Sequence, residues 1–96
     1  MRTEKLESPD GSYSLYHFDD GDRETLVEDF DSDARLTMFI RREYNDAGEV
    51  SGWTVHEGDG RLITRLVVRF SPHGKPLEHL EYDADGNLED VTPADA

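Results

Sequence analysis

The sequence contains no cysteine, which excludes disulfide staples, thiolate metal sites and cysteine nucleophiles together and fits a reducing compartment such as the cytoplasm. Basic residues are scarce: 10 Lys and Arg stand against 23 Asp and Glu, for a net charge of −13. A field of that sign repels nucleic acid and anionic membranes, so neither is expected as a direct partner. Long apolar runs are missing as well. No stretch approaches the roughly 18 apolar residues of a membrane span, and the opening "MRTEKLESPDG" has no apolar signal-peptide core. With 96 residues and 34% hydrophobic composition, the chain is expected to form one small domain over 1–96 with a thin core.

What is present is a repeat. Phe18, Tyr44 and Phe70 are 26 residues apart, and so are Phe30, His56 and Tyr82. "DARL" at Asp33, "DGRL" at Asp59 and "DGNL" at Asp85 keep the same interval. Turn, aromatic and aliphatic residues thus recur in phase, which marks a tandem architecture over 18–92. Each half-unit is too short for a helix with its connections but fits a strand between tight turns. In "RLTMFIRREY" and "RLITRLVVRF" apolar residues alternate with period two rather than 3.6. Short links rich in Asp, Asn and Gly reverse the chain, so consecutive strands are antiparallel.

The fold class expected is therefore all-β: an antiparallel meander of seven to eight strands from three 26-residue repeats. The strands fall near 2–7, 12–18, 23–30, 35–44, 49–56, 61–70, 75–82 and 87–92, and the tail 93–96 is expected to fray. Tyr16, Phe18, Leu26, Phe30, Leu36, Met38, Ile40, Tyr44, Val50, Leu62, Leu66, Val68, Phe70, Leu80 and Tyr82 are assigned by parity to one apolar face. A single sheet must cover such a face, so closure or half-closure into a small barrel or strongly curved sheet is expected.

The segments "YNDAGEV", "YDADGNLEDV" and "HEGDGRL" resemble the YD repeat, also called the RHS repeat, whose consensus is Tyr-Asp-x-x-Gly-x-Leu followed by a strand. In that family tandem β-hairpins wind into a spiral sheet, as in the shells around bacterial polymorphic toxins and in teneurins. The resemblance covers roughly 18–92 and implies strand and turn geometry. It carries over no catalytic residue. Departures are His56 in a Tyr position, Phe18, Phe30 and Phe70 for Tyr, and "DSDARL" without its glycine. Three repeats are too few to enclose a cargo.

Two surface features bear on function. Parity puts Phe39, Arg41, Trp53, Val55, Ile63, Arg65, Val67 and Arg69 on the opposite face of the central strands, an Arg and aromatic mixture of the kind enriched in interface cores. The alternative is a second packed sheet or Arg stems lying over apolar neighbours. The acidic runs "DDGDRE" and "EDFDSD", with Asp19, Asp20, Asp22, Glu28, Asp29, Asp31 and Asp33, form the second feature. By region the charge is −8 over 1–34, +1 over 35–70 and −6 over 71–96. Such acid steers a basic partner or imitates a nucleic-acid backbone toward a nucleic-acid-handling protein. Its plainer explanation is turn geometry and solubility.

Other groupings are weaker. Asp83, Asp85, Asn87 and Glu89 suggest a calcium loop, but glycine follows the second ligand position and no bidentate Glu stands at the twelfth. His17, His56, His73 and His79 lack metal-ligand spacing. Ser51, His56 and an Asp can be assembled into a triad, as in any Asp-rich chain. No metal, cofactor or enzyme activity is expected. The reading is a cytoplasmic protein-binding module, also able to pair with itself, that inhibits or neutralises a partner: an immunity protein, an antitoxin or a phage-encoded inhibitor of defence. The rivals are a small-molecule barrel with Tyr16, Tyr44, Tyr82 and His56 around its cavity, and a structural fragment of a larger repeat assembly.

Overall fold

A computed structural model describes residues 1–94. It contains eight strands: β1 (Arg2–Glu7), β2 (Tyr13–Phe18), β3 (Glu24–Phe30), β4 (Leu36–Tyr44), β5 (Val50–Glu57), β6 (Leu62–Phe70), β7 (Pro76–Tyr82) and β8 (Leu88–Pro93). They form one antiparallel sheet in the order β1-β2-β3-β4-β5-β6-β7-β8, with no helix among the described residues. The all-β meander is as the alternation and the turns require. Pro93 closes β8, and the Ala94 amide donates to the Leu77 carbonyl at 3.2 Å, so 93–94 are tied to the sheet. The other two residues of the expected frayed tail lie outside the described residues.

All seven links are built alike. In each, the first residue's amide donates to the carbonyl four positions on, and the fourth residue's amide donates back to the first carbonyl, as in Asn45, Gly48 and Glu49. The fourth residue is left-handed every time: Gly11, Asp22, Ala34, Gly48, Gly60, Gly74 and Gly86. In five of the seven the first side chain then folds over the loop; in the other two the third residue, Asp10 or Asp59, accepts a loop amide instead. Asp31 Oδ1 accepts the amides of Asp33 and Arg35, and Asp83 Oδ1 those of Asp85 and Asn87, at 2.9–3.0 Å. Asp19, Asn45 and Ser71 do the same in their loops. A short polar acceptor three residues before a left-handed position satisfies the turn's own backbone donors.

Six of the hairpins carry a bulge, all except β1–β2. Phe18, Phe30, Tyr44, Phe70 and Tyr82 each end a strand and His56 is the last but one of β5. Each of the six lies opposite two residues of the next strand: Glu24–Thr25, Leu36–Thr37, Val50–Ser51, Pro76–Leu77 and Leu88–Glu89 for the five, and Leu62–Ile63 for His56. Every bulge reverses parity along its strand. Successive aromatics therefore alternate between faces as they alternate between ends, and the 26-residue period is two hairpins, one for each face.

This corrects the one-face assignment. Cross-strand pairing puts Tyr16, Phe18, Met38, Ile40, Tyr44, Val50, Leu66, Val68 and Phe70 on one face, with Trp53 and Val55. Leu26, Phe30, Leu36, Leu62, Leu80 and Tyr82 are on the other, with Phe39. We call these the Trp53 face and the Phe39 face.

The sheet does not close. Each strand touches only its neighbours in sequence, and β1 and β8 do not pair. The barrel expectation fails because the apolar side chains divide between two faces, so no single face is driven to curl around a core. Among the described residues only Val27 and Val68 are buried hydrophobics, each still 9% exposed. The radius of gyration is 15.2 Å, against about 12.5 Å for a compact chain of this length.

Candidate protein-binding faces

Six of the eight interface residues read from the sequence lie together on the Phe39 face: Phe39, Arg41, Ile63, Arg65, Val67 and Arg69. Phe39 stacks on His56 with ring centroids 4.7 Å apart and planes 10° from parallel, and the Arg41 guanidinium lies 5.5 Å from the Phe39 centroid. A row crosses six strands through Leu26, Arg41, Thr54, Arg65, Tyr82 and Leu88. Arg69 Nε donates to Glu78 Oε1 at 2.5 Å. Among the described residues Arg41 and Arg65 have no carboxylate within ion-pair distance. Their donors are free for an outside acceptor. Arg65 also borders a shallow concavity of about 510 Å³, lined by Leu62, Val67, Tyr82 and the β7–β8 loop from Asp83 to Gly86.

Trp53 and Val55 are not part of that patch. The Val50–Ser51 bulge opposite Tyr44 turns them over, so Trp53 pairs across to Arg42 and Leu66, and Val55 to Ile40 and Thr64. Arg42 lies 5.9 Å from the Trp53 ring and is held by Glu24 at 2.9 Å. Tyr44 donates its hydroxyl to the Glu24 carbonyl at 2.6 Å while Arg23 covers its ring at 5.1 Å. These contacts fix the corner of the Trp53 face nearest the β2–β3 loop.

The acidic set is not one surface. Asp19, Asp20 and Asp22 are in the β2–β3 loop; Asp31 and Asp33 are in the β3–β4 loop, at the other end of β3, roughly 20 Å away by strand rise. Glu28 points to the Phe39 face and binds His17 Nε2 at 2.6 Å; Asp29 points to the Trp53 face and accepts from Ser14 at 2.6 Å. Asp20 pairs with the terminal ammonium of Met1 at 2.8 Å, and Asp22 pairs with Arg2. Asp19 and Asp31 are loop caps. The Arg23 amide, chief among several donors, holds the Asp19 carboxyl below the ordinary carboxylate range. Asp33 alone of the seven has no side-chain partner among the described residues.

The Asp83, Asp85, Asn87 and Glu89 group does not converge either: Asp83 folds over its own loop, and Glu89 is in the β8 bulge. Among the described residues no group of three or more His, Cys, Asp or Glu side chains is placed to hold a metal ion. Ser51 is on the Trp53 face and His56 on the Phe39 face, engaged with Phe39, Thr54 and the Gly60 carbonyl. The imagined ligand cavity likewise separates, with Tyr16 and Tyr44 on one face and Tyr82 and His56 on the other.

No protein-family model matches the chain, and no curated protein matches it. Sequence reasoning missed the concavity beside Arg65 and the ring pair Tyr13–Phe30, stacked at 4.9 Å. Both follow from the register, and the signal for the register was the five-residue Asp-x-x-Gly-x link, whose three-residue loop with a left-handed last position favours a bulged hairpin.

Proposed function

We propose that this chain is a cytoplasmic protein-binding module of YD-type hairpin repeats, and that it inhibits or neutralises a partner protein in the manner of an immunity protein, an antitoxin or a phage-encoded inhibitor of defence. The observation that carries the binding reading is the Phe39 face. A half-buried aromatic, apolar residues including the exposed Ile63, and two arginines without an ion-pair partner among the described residues lie side by side there on adjacent strands, the composition that concentrates binding energy. The repeat reading is supported by the loops at 45–49 and 83–87, where the consensus acid or amide caps the turn and the consensus glycine is the left-handed residue. Acid at both ends of the strands would bring a basic, nucleic-acid-handling partner to the sheet.

The test is a pull-down from the native host followed by mass spectrometry, with wild type beside Phe39→Ala and Arg65→Glu. A partner retained by wild type and lost by both variants supports the reading; equal retention by all three overturns the assignment of this face. A structural fragment of a larger repeat array is the second reading, favoured by two unpaired edge strands and contacts limited to neighbours. In that case the chain should capture further copies of such hairpins rather than an unrelated protein.

A further inference from the structure

We infer that the Trp53 face is where two copies of this chain pack, sheet against sheet. A domain is ordinarily two layers around one core, and this chain supplies one layer. Its accessible surface is 6444 Å², where a compact monomer of 10.9 kDa exposes roughly 5,600 Å². The excess of roughly 850 Å² matches the ~800 Å² that each partner buries in a standard stable interface.

The Trp53 face has the chemistry for it. Val27, Ile40, Trp53, Val55, Leu66 and Val68 make a continuous apolar band over β3 to β6, with Val27 and Val68 already the most buried hydrophobics of the chain. Three charged groups at its margin are occupied within the chain, Arg42 by Glu24, Asp29 by Ser14 and Glu57 by Arg61, while Glu81, across from Leu66, has no ion-pair partner among the described residues. Apart from Glu81 at one edge, the band is apolar, so it calls for a second apolar sheet face rather than a charged partner. A two-fold axis lying in the interface supplies one from the chain itself, by the commonest oligomer symmetry, and aligned sheets pack about 10 Å apart with side chains interdigitated. The Phe39 face stays outward on both sides, so the dimer does not depend on the proposed inhibitory role.

Like charge opposes this association: two chains each at −13 repel. Because the acid is in the loops and the contact is apolar, salt screens the repulsion and leaves the contact intact. Sedimentation equilibrium of the whole chain should show twice the 10.9 kDa mass, with a tighter dimer at ~0.5 M than at ~0.05 M salt. Trp53 emission should shift to the red as dilution dissociates the pair. Leu66→Glu should weaken the dimer at least tenfold, and Ile63→Glu, on the opposite face, should leave it unchanged, with far-ultraviolet spectra confirming the sheet in both. Should Leu66→Glu unfold, Val55→Thr with the Trp53 dilution curve replaces it. A chain still monomeric at about 100 µM overturns the inference, since interfaces of this size bind in the µM range or tighter. So does an association that weakens with salt, a Trp53 signal indifferent to dissociation, or a dimer broken by Ile63→Glu and not by a Trp53-face substitution.

Discussion

Ala34 and Asp22 take φ of 63° and 65° at the loop position where the other five hairpins have glycine. A Cβ in the left-handed region costs about 1–2 kcal/mol, partly offset by the chain freedom that glycine adds to the unfolded state. Ala34→Gly should therefore stabilise the protein by about 0.5–1 kcal/mol, a rise in Tm of roughly 3–6 °C for this size. Gly48→Ala, the reverse change in a sister loop, should lower Tm comparably; thermal scans of the pair check both. The caps give a second residue-scale expectation. Asp10, Asp19 and Asp83 have carboxyls held below the ordinary range, by the Ser12 hydroxyl first for Asp10, the Arg23 amide for Asp19 and the Asn87 amide for Asp83. A carboxylate with a depressed folded pKa contributes its stability above the unfolded value, near pH 4, and loses it as pH falls through the folded value. Repulsion at net −13 relaxes over the same range and works the other way. Asn removes the titration and keeps the cap, as Asn45 shows in its own loop. The double variant Asp19→Asn, Asp83→Asn should accordingly show a flatter fall of Tm between about pH 4 and pH 2 than wild type; an identical acid limb would remove these caps from the account.

At the scale of the hairpin, the sequence was legible where geometry is local. Strand bounds such as 35–44 and 61–70 fall within one residue of Leu36–Tyr44 and Leu62–Phe70, because alternation and turn residues act over a few positions. The faces were not legible, because parity counted through an unseen bulge inverts everything beyond it. Trp53 and Val55 show the cost: two residues downstream of Val50–Ser51 were placed with Phe39 when they belong with Ile40. Phe39, Arg41, Arg65, Val67 and Arg69 survived because no bulge intervenes between them within β4 or within β6. The bulges also create a constraint that composition does not reveal. The Gly58 amide donates to the Thr37 carbonyl at 3.0 Å across the Leu36–Thr37 bulge, and a Cβ at Gly58 would sit 1.9 Å from the Leu36 carbonyl oxygen. That oxygen is backbone and has no rotamer to escape into. Gly58→Ala should cost about 2 kcal/mol or more, seen as a fall in the denaturation midpoint with the slope unchanged. Gly60→Ala, whose Cβ meets nothing within 4 Å, should show only the left-handed penalty.

For the molecule as a whole, charge and apolar surface make opposite demands on salt. Acid fills both rows of loops: Asp19, Asp20, Asp22, Asp46 and Glu49 at one end, and Asp10, Asp31, Asp33, Asp59, Asp83 and Asp85 at the other. Between them the strands carry the arginines of the Phe39 face and the apolar band of the Trp53 face. A basic partner approaching from solution meets the loops first, so these charges act on encounter rather than on the final contact. Neutralising one end with Asp20→Asn and Asp22→Asn, or the other with Asp33→Asn and Asp85→Asn, leaves the first-position caps Asp19, Asp31 and Asp83 in place. Whichever end faces the incoming partner, its variant should associate several-fold more slowly with a shallower dependence on salt, and dissociate at nearly the wild-type rate. Stopped-flow association over a salt series separates the two ends. It also separates steering from self-association: heterologous encounter must slow as salt rises, while pairing of Trp53 faces must tighten, so the two slopes have opposite sign in one preparation. If both variants associate at the wild-type rate at ~0.01 M salt, where charges act over roughly 30 Å, the acid of the loops serves turn geometry and solubility and has no part in finding the partner.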